Sequence, residues 1–174
     1  MNILVWLVLA ACALAVWTDI STRRIPNAIS ATLAVVALAY QALHGLEAFA
    51  IALGALVGIL VLGSFAFSMH WLGGGDVKLA AAAGAAFGYP DVLLFLLYTS
   101  LGGGLLAVAY MAFRGRLAEL FGNTAGLLRP LAYKGTVAVA PAHSTALPYA
   151  CAIALGASAV ALSHSFAPSL RLIQ

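Results

Sequence analysis

Charge is the scarcest property of this sequence. Its 174 residues include 8 Lys and Arg and 5 Asp and Glu, or 7% charged, against roughly 25% in soluble domains. A chain of this size cannot cover a water-soluble fold with so few charges. Cysteine is scarcer still. Cys12 and Cys151 both fall in apolar segments and form no CxxC, which argues against a disulfide framework or a zinc site and for packed thiols. Strict alternation of apolar and polar residues is missing, which counts against a transmembrane barrel. No repeat relates residues 1–80 to residues 81–174, although transporters often carry one.

What fills the chain instead is apolar residues, 64% of the total, in runs near the ~20-residue length of a bilayer-spanning helix. The expected fold is all-α: a polytopic integral membrane protein of about six transmembrane helices, forming a single domain over residues 1–174. The spans fall at residues 2–17, 27–43, 48–69, 77–87, 92–113 and 145–162. The first has no basic n-region and runs into Asp19, Arg23 and Arg24, so it is expected to be a retained helix and not a signal peptide. Between the spans lie a polar loop at 18–26, a turn at 44–47, a glycine-rich break at 70–76, a turn at 88–91 and a longer polar stretch at 114–144. Within that last stretch, residues 115–129 fit either a surface amphipathic helix or an ordinary loop.

Seven of the eight cations, Arg23, Arg24, Lys78, Arg114, Arg116, Arg129 and Lys134, fall after spans one, three and five; only Arg171 falls on the other side. By the positive-inside rule those loops face the cytoplasm and both termini lie outside. The same rule explains the net charge of +3 without nucleic acid. The fourth span is short: eleven residues reach only ~17 Å of a ~30 Å hydrocarbon core. Asp76 therefore sits near the inner boundary, deeper than a loop carboxylate, and a cavity is expected beside it.

Glu47, Asp91 and Glu119 read as solvated loop residues. Asp19 and Asp76 differ: 57 positions apart, each stands at the cytoplasmic end of an apolar span. Ionisable groups there are functional candidates. Two carboxyls sharing a proton can hydrolyse a peptide, the ionised one activating water and the protonated one polarising the carbonyl. The rival readings are a small ion-coupled transporter using the same pair, and a non-catalytic assembly factor of a pilus or secretion complex.

The residues around the two acids narrow the choice. Asp19-Ile20-Ser21-Thr22-Arg23-Arg24-Ile25-Pro26-Asn27 is a D-x5-I-P-N run, Gly73-Gly74-Gly75-Asp76 is GxGD, and Leu147-Pro148-Tyr149-Ala150 precedes a small-residue stretch to Gly156. Together they resemble the type IV prepilin peptidases, membrane aspartyl proteases with catalytic aspartates in such contexts, over most of the chain. The resemblance implies Asp19 and Asp76 as the catalytic pair, no cofactor or metal, and a prepilin or pseudopilin substrate with a basic leader. It also implies a multi-pass protein of the bacterial inner membrane with its site toward the cytoplasm. Larger members carry a cytoplasmic insertion with CxxC pairs and methylate the new N-terminus. Here only residues 18–26 separate the first two spans, so no methyltransferase domain is implied. The closer likeness is to the short CpaA/TadV-like peptidases of tight-adherence (Flp) pilus systems.

The supporting residues are read more plainly. Gly73 and Gly75 would admit a substrate strand close to Asp76. Pro26 and Asn27 would start the second helix. Lys78 reads first as a snorkelling anchor, and second as a cation near the carboxylates. His70 and His143 lack a ligand partner at metal spacing, and Ser144 beside His143 lacks an orienting acid. The Gly54/Gly58 and Gly84/Gly88 pairs and Gly102, Gly103 and Gly104 fit close helix packing and leave a homodimer open.

Overall fold

The computed structural model describes residues 3–69, 72–113 and 149–166. Those residues form six helices and no strand: α1 (Ile3–Thr22), α2 (Asn27–Leu43), α3 (Leu46–Ser68), α4 (Gly74–Phe87), α5 (Asp91–Phe113) and α6 (Tyr149–Phe166). Three stretches are long and apolar enough to cross a membrane: Ile3–Thr22, Leu46–Ser68 and Asp91–Tyr110. Helix α2 and residues Tyr149–Ser163 are shorter and also apolar. Large apolar side chains such as Trp6, Val61, Leu62, Phe65 and Leu101 are exposed on their outer faces, the pattern of an all-α protein whose surrounding solvent is lipid.

Residues 1–103 and 148–174 form one compact unit and residues 104–147 a second, of which the end of α5 is described. In the first unit α4 is central, packed against α1, α2, α3 and α6. It can be central because its side chains are small: Ala81, Ala82, Ala83, Gly84 and Ala85 are fully enclosed, with Val77 and Leu79. Its 14 residues reach ~21 Å, and neighbouring helices cover what a lone short helix would leave in lipid. Gln41 Nε2 on α2 donates to the Ala86 carbonyl at 3.2 Å. Gly88, at φ 66°, ends the helix in the left-handed region.

The helix ends refine the sequence boundaries. Residues 18–22 are helical, not loop, so Asp19 stands in the last turn of α1. The hydroxyls of Thr18 and Thr22 donate to the carbonyls of Ala15 and Thr18 at 3.0 and 2.8 Å, so this polar run satisfies itself within the helix. The chain turns at Arg23 (φ 55°). Pro26 is the N-cap of α2 (φ −59°, ψ 130°), one position before the helical turn expected for it. Helix α4 starts at Gly74, so the last three residues of the expected glycine break at 70–76 are helical. Helix α6 runs to Phe166, four residues past the expected end. The amphipathic candidate at 115–129, with His70, His143 and Ser144, lies outside the described residues.

Glycine serves packing at some expected places and not others. Gly54 and Gly58 meet nothing within 4 Å, so the close-packing reading fails for them within this chain. A Cβ on Gly84 would collide with Ile59 Cδ1. Gly102 and Gly156 bring α5 and α6 together: a Cβ on Gly156 would overlap Thr99 Oγ1 and lie 2.9 Å from the Thr99 backbone nitrogen. Backbone cannot yield as a side-chain tip can. Gly156→Ala is therefore expected to cost about 1–3 kcal/mol and to lower the thermal midpoint in detergent. Gly54→Ala, with open space and a helical backbone, should be neutral or slightly stabilising. Equal midpoints for the two variants would mean that α5 and α6 do not approach this closely.

Candidate active site

Three helix ends meet at one place. Asp19 comes from the last turn of α1, Asp76 from the first turn of α4, and Tyr149 opens α6. Asp76 feels the charge of Asp19, Tyr149 that of Asp76, and Cys151 that of Asp19. The two carboxylates predicted from separate motifs thus share one electrostatic neighbourhood, and both are half-buried.

Asp76 is held by its own helix end. The Gly73 backbone hydrogen-bonds its carboxylate, as an acidic third residue often reaches back to an N-cap. Oδ1 is buried and has no hydrogen-bond partner, so one oxygen is fixed and the other is not. Asp76 precedes the fourth apolar stretch and lies outside every candidate span. Burial, followed by the Asp19 charge, raises its carboxyl from 3.8 to about 6, while the Gly73 hydrogen bond works in the lowering direction.

This shift predicts a pH effect on stability. Below 3.8 Asp76 is protonated folded and unfolded, and the penalty vanishes. Above about 6 it is ionised in both states and the penalty is complete. Stability attributable to this group therefore falls as pH rises between those values. Asp76→Asn should raise the midpoint at pH 7.5 by the equivalent of about 1–2 kcal/mol, allowing for partial exposure, and leave it unchanged near pH 3.5. A midpoint gain of equal size at both pH values would contradict this origin.

The glycine motif works by contact. Gly74 and Gly75 are helical, and Gly73 is extended at φ −75°, ψ 145°. The extended stretch expected for pairing with substrate is thus limited to Gly73, whose carbonyl accepts from Val77 N at 3.1 Å, while Gly74 and Gly75 are in the first helical turn. A Cβ on Gly75 would lie 3.0 Å from Ile25 Cβ. Two residues on, Lys78 Nζ donates to Asn27 Oδ1 at 2.9 Å. The two motifs therefore clasp each other: Ile25 lies on Gly75, and Asn27 holds Lys78. Pro26 turns the chain between those contacts, and its carbonyl accepts from Ile29 N at 3.1 Å. Lys78 is thus tied to the other motif, and is not solely a snorkelling anchor.

Tyr149 stands in the third sequence pattern, which by itself assigns it no role. Its ring packs against Gly103, where a Cβ would stand 3.1 Å from Cε2 and 3.2 Å from the hydroxyl. Cys151 is a free thiol, as expected, and its place beside Asp19 carried no signal in the sequence. Among the described residues, no three His, Cys, Asp or Glu side chains cluster as metal ligands.

The profile of the type IV leader peptidase family matches residues 6–108, which include both aspartates and more than half of the chain. The chain belongs to the type IV leader peptidase family. Membership makes it a membrane-embedded peptidase. The match covers the D-x5-I-P-N and GxGD segments and ends before Tyr149. No curated protein and no solved structure matches the chain.

Proposed function

We propose that this leader peptidase is an aspartic endopeptidase whose dyad is Asp19 and Asp76. Its substrate is a prepilin or pseudopilin of a tight-adherence (Flp) system, cut where a short basic leader meets an apolar helix. One observation carries the reading: carboxylates from distant motifs interact in one half-buried site. The distribution of cations, seven of eight after spans one, three and five, supports a cytoplasmic-facing site in the bacterial inner membrane.

The chemistry follows from the asymmetry of the pair. Asp76, raised to about 6 by burial and by its neighbour's charge, is the member that carries the proton in the singly protonated pair. Asp19, as carboxylate, takes a proton from a water whose oxygen attacks the scissile carbonyl carbon. Asp76 donates its proton to the carbonyl oxygen. Collapse of the tetrahedral intermediate breaks the C–N bond as the proton on Asp19 passes to the leaving nitrogen and Asp76 takes back a proton from a hydroxyl of the intermediate, which restores the starting pair. The products are a leader carboxylate and a new amino terminus. Titration belongs to the pair as a whole, and both the fully protonated and the fully ionised dyad are inactive.

The test is reconstitution in bilayers with a candidate prepilin and mass determination of the products. The expected result is one cut at the leader boundary and an unmethylated new N-terminus. Intact prepilin with a correctly folded, membrane-inserted protein would overturn the assignment of this substrate.

A further inference from the structure

The face of α4 turned away from Asp76 carries a cavity that the proteolytic reading does not use. It has a volume of about 330 Å³ and lies between α2, α3 and α4. Its two ends differ. Lys78, Asn27 and Ser30 form the polar end, and Ala31, Ala34, Leu56, Leu60 and Ala81 line the rest. Lys78 is exposed, and its ammonium donates to the neutral amide oxygen of Asn27. That bond orients the charge without neutralising it, and an ammonium has two further donors. Ser30 is turned inward, donating to the Asn27 carbonyl at 3.2 Å.

We propose that this cavity binds the phosphate and one acyl chain of an anionic phospholipid. The polar end is at the same helix ends as Asp19 and Asp76, where headgroups lie. The apolar lining runs from there toward the middle of the bundle. From Asn27 to Ala34 the α2 wall measures ~10 Å at 1.5 Å per residue, enough for part of a chain below a headgroup. Lys78 supplies charge complementarity at the level of the phosphate. A peptide helix is a poorer occupant, because with side chains it is ~10–12 Å across and the space is at the small end of ligand pockets. The two outer walls belong to apolar helices α2 and α3, so a lipid would enter sideways from the bilayer. Neither carboxyl of the dyad lines this cavity, although its Lys78–Asn27 end is shared with the clasp between the two motifs.

The experiment is native mass spectrometry of full-length protein taken from bilayers of neutral phosphatidylcholine with added phosphatidylglycerol, paired with a titration of phosphatidylglycerol. Two variants separate charge from space. Lys78→Gln removes the cation and keeps a donor for Asn27. Ala31→Leu, at an exposed position, fills the groove and keeps the charge. The expected result is a phosphatidylglycerol retained by wild type and bound at least about fivefold more weakly by each variant, the scale of one interfacial cation. Phosphatidylcholine should not be retained. Equal retention by all three proteins would overturn the proposal. So would a loss in Lys78→Gln alone, which would leave a surface charge without a chain site. Displacement of the lipid by prepilin would assign the groove to substrate instead.

Discussion

Asp19→Asn and Asp76→Asn should each slow prepilin cleavage by about 10²–10⁴-fold, the usual worth of a positioned acid or base, and the double variant should be no slower than either single one. The reason is that neither carboxyl has a separate job that survives loss of the other. Without Asp19 no base receives the proton of water. Without Asp76 no acid meets the developing oxyanion. Groups that act as a unit give non-additive losses. Losses that multiply in the double variant would mean two independent contributions and no dyad. Unfolding is a poor explanation for Asp76→Asn, since the substitution removes a carboxyl that burial and the Asp19 charge make costly to ionise. Membrane insertion and thermal midpoint should therefore be measured on the same preparations. The rival functions predict otherwise. An ion-coupled transporter would lose flux and never have cut prepilin, and an assembly factor would tolerate both changes.

Much of this was legible before any coordinates, for physical reasons that differ by element. Helix α2 fell at residues 27–43 as read, because Pro26 on one side and His44-Gly45 on the other punctuate an apolar run. The end of α1 did not, because Trp17-Thr18-Asp19 reads as the start of a polar loop. Only the back-bonds of Thr18 and Thr22 make that polarity compatible with a helix. The shortness of α4 was visible, and its alanines are now explained by enclosure on several sides. Hydropathy alone could not reveal this, since small residues read as weakly apolar. The clasp between Asn27 and Lys78 joins positions 51 apart, and nothing in one sequence pairs an amide with an ammonium over that distance. Tyr149 had a place in a pattern, but its partners Gly103 and Asp76 arise only from the crossing of three helices.

The spacing of the GxGD motif leads to the second large effect. Gly73→Ala is expected to lower kcat by about 10²-fold, the loss associated with ~1 Å misplacement of a reacting group, in a protein that still folds. At φ −75° and ψ 145° the backbone of Gly73 suits alanine without strain, so the fold has no reason to change. The new Cβ, however, would stand 2.7 Å from Asp76 Oδ2. The carboxylate must swing away, losing the Gly73 hydrogen bond that fixes it. Gly75→Ala presses on Ile25 Cβ at 3.0 Å, a branched carbon on a tight turn, and should be impaired by moving the two motifs apart. Gly74→Ala meets only the edge of Phe67, at 3.5 Å, an ordinary contact, and should cleave at close to the wild-type rate. This order assigns the motif a contact logic: the first glycine leaves room for the carboxylate, the third for the opposite motif, and the middle one is free to vary. Single-turnover cleavage by the three alanine variants, with thermal midpoints as control, tests it. A Gly74→Ala enzyme as slow as Gly73→Ala would show that the glycines serve backbone flexibility and not the placement of Asp76.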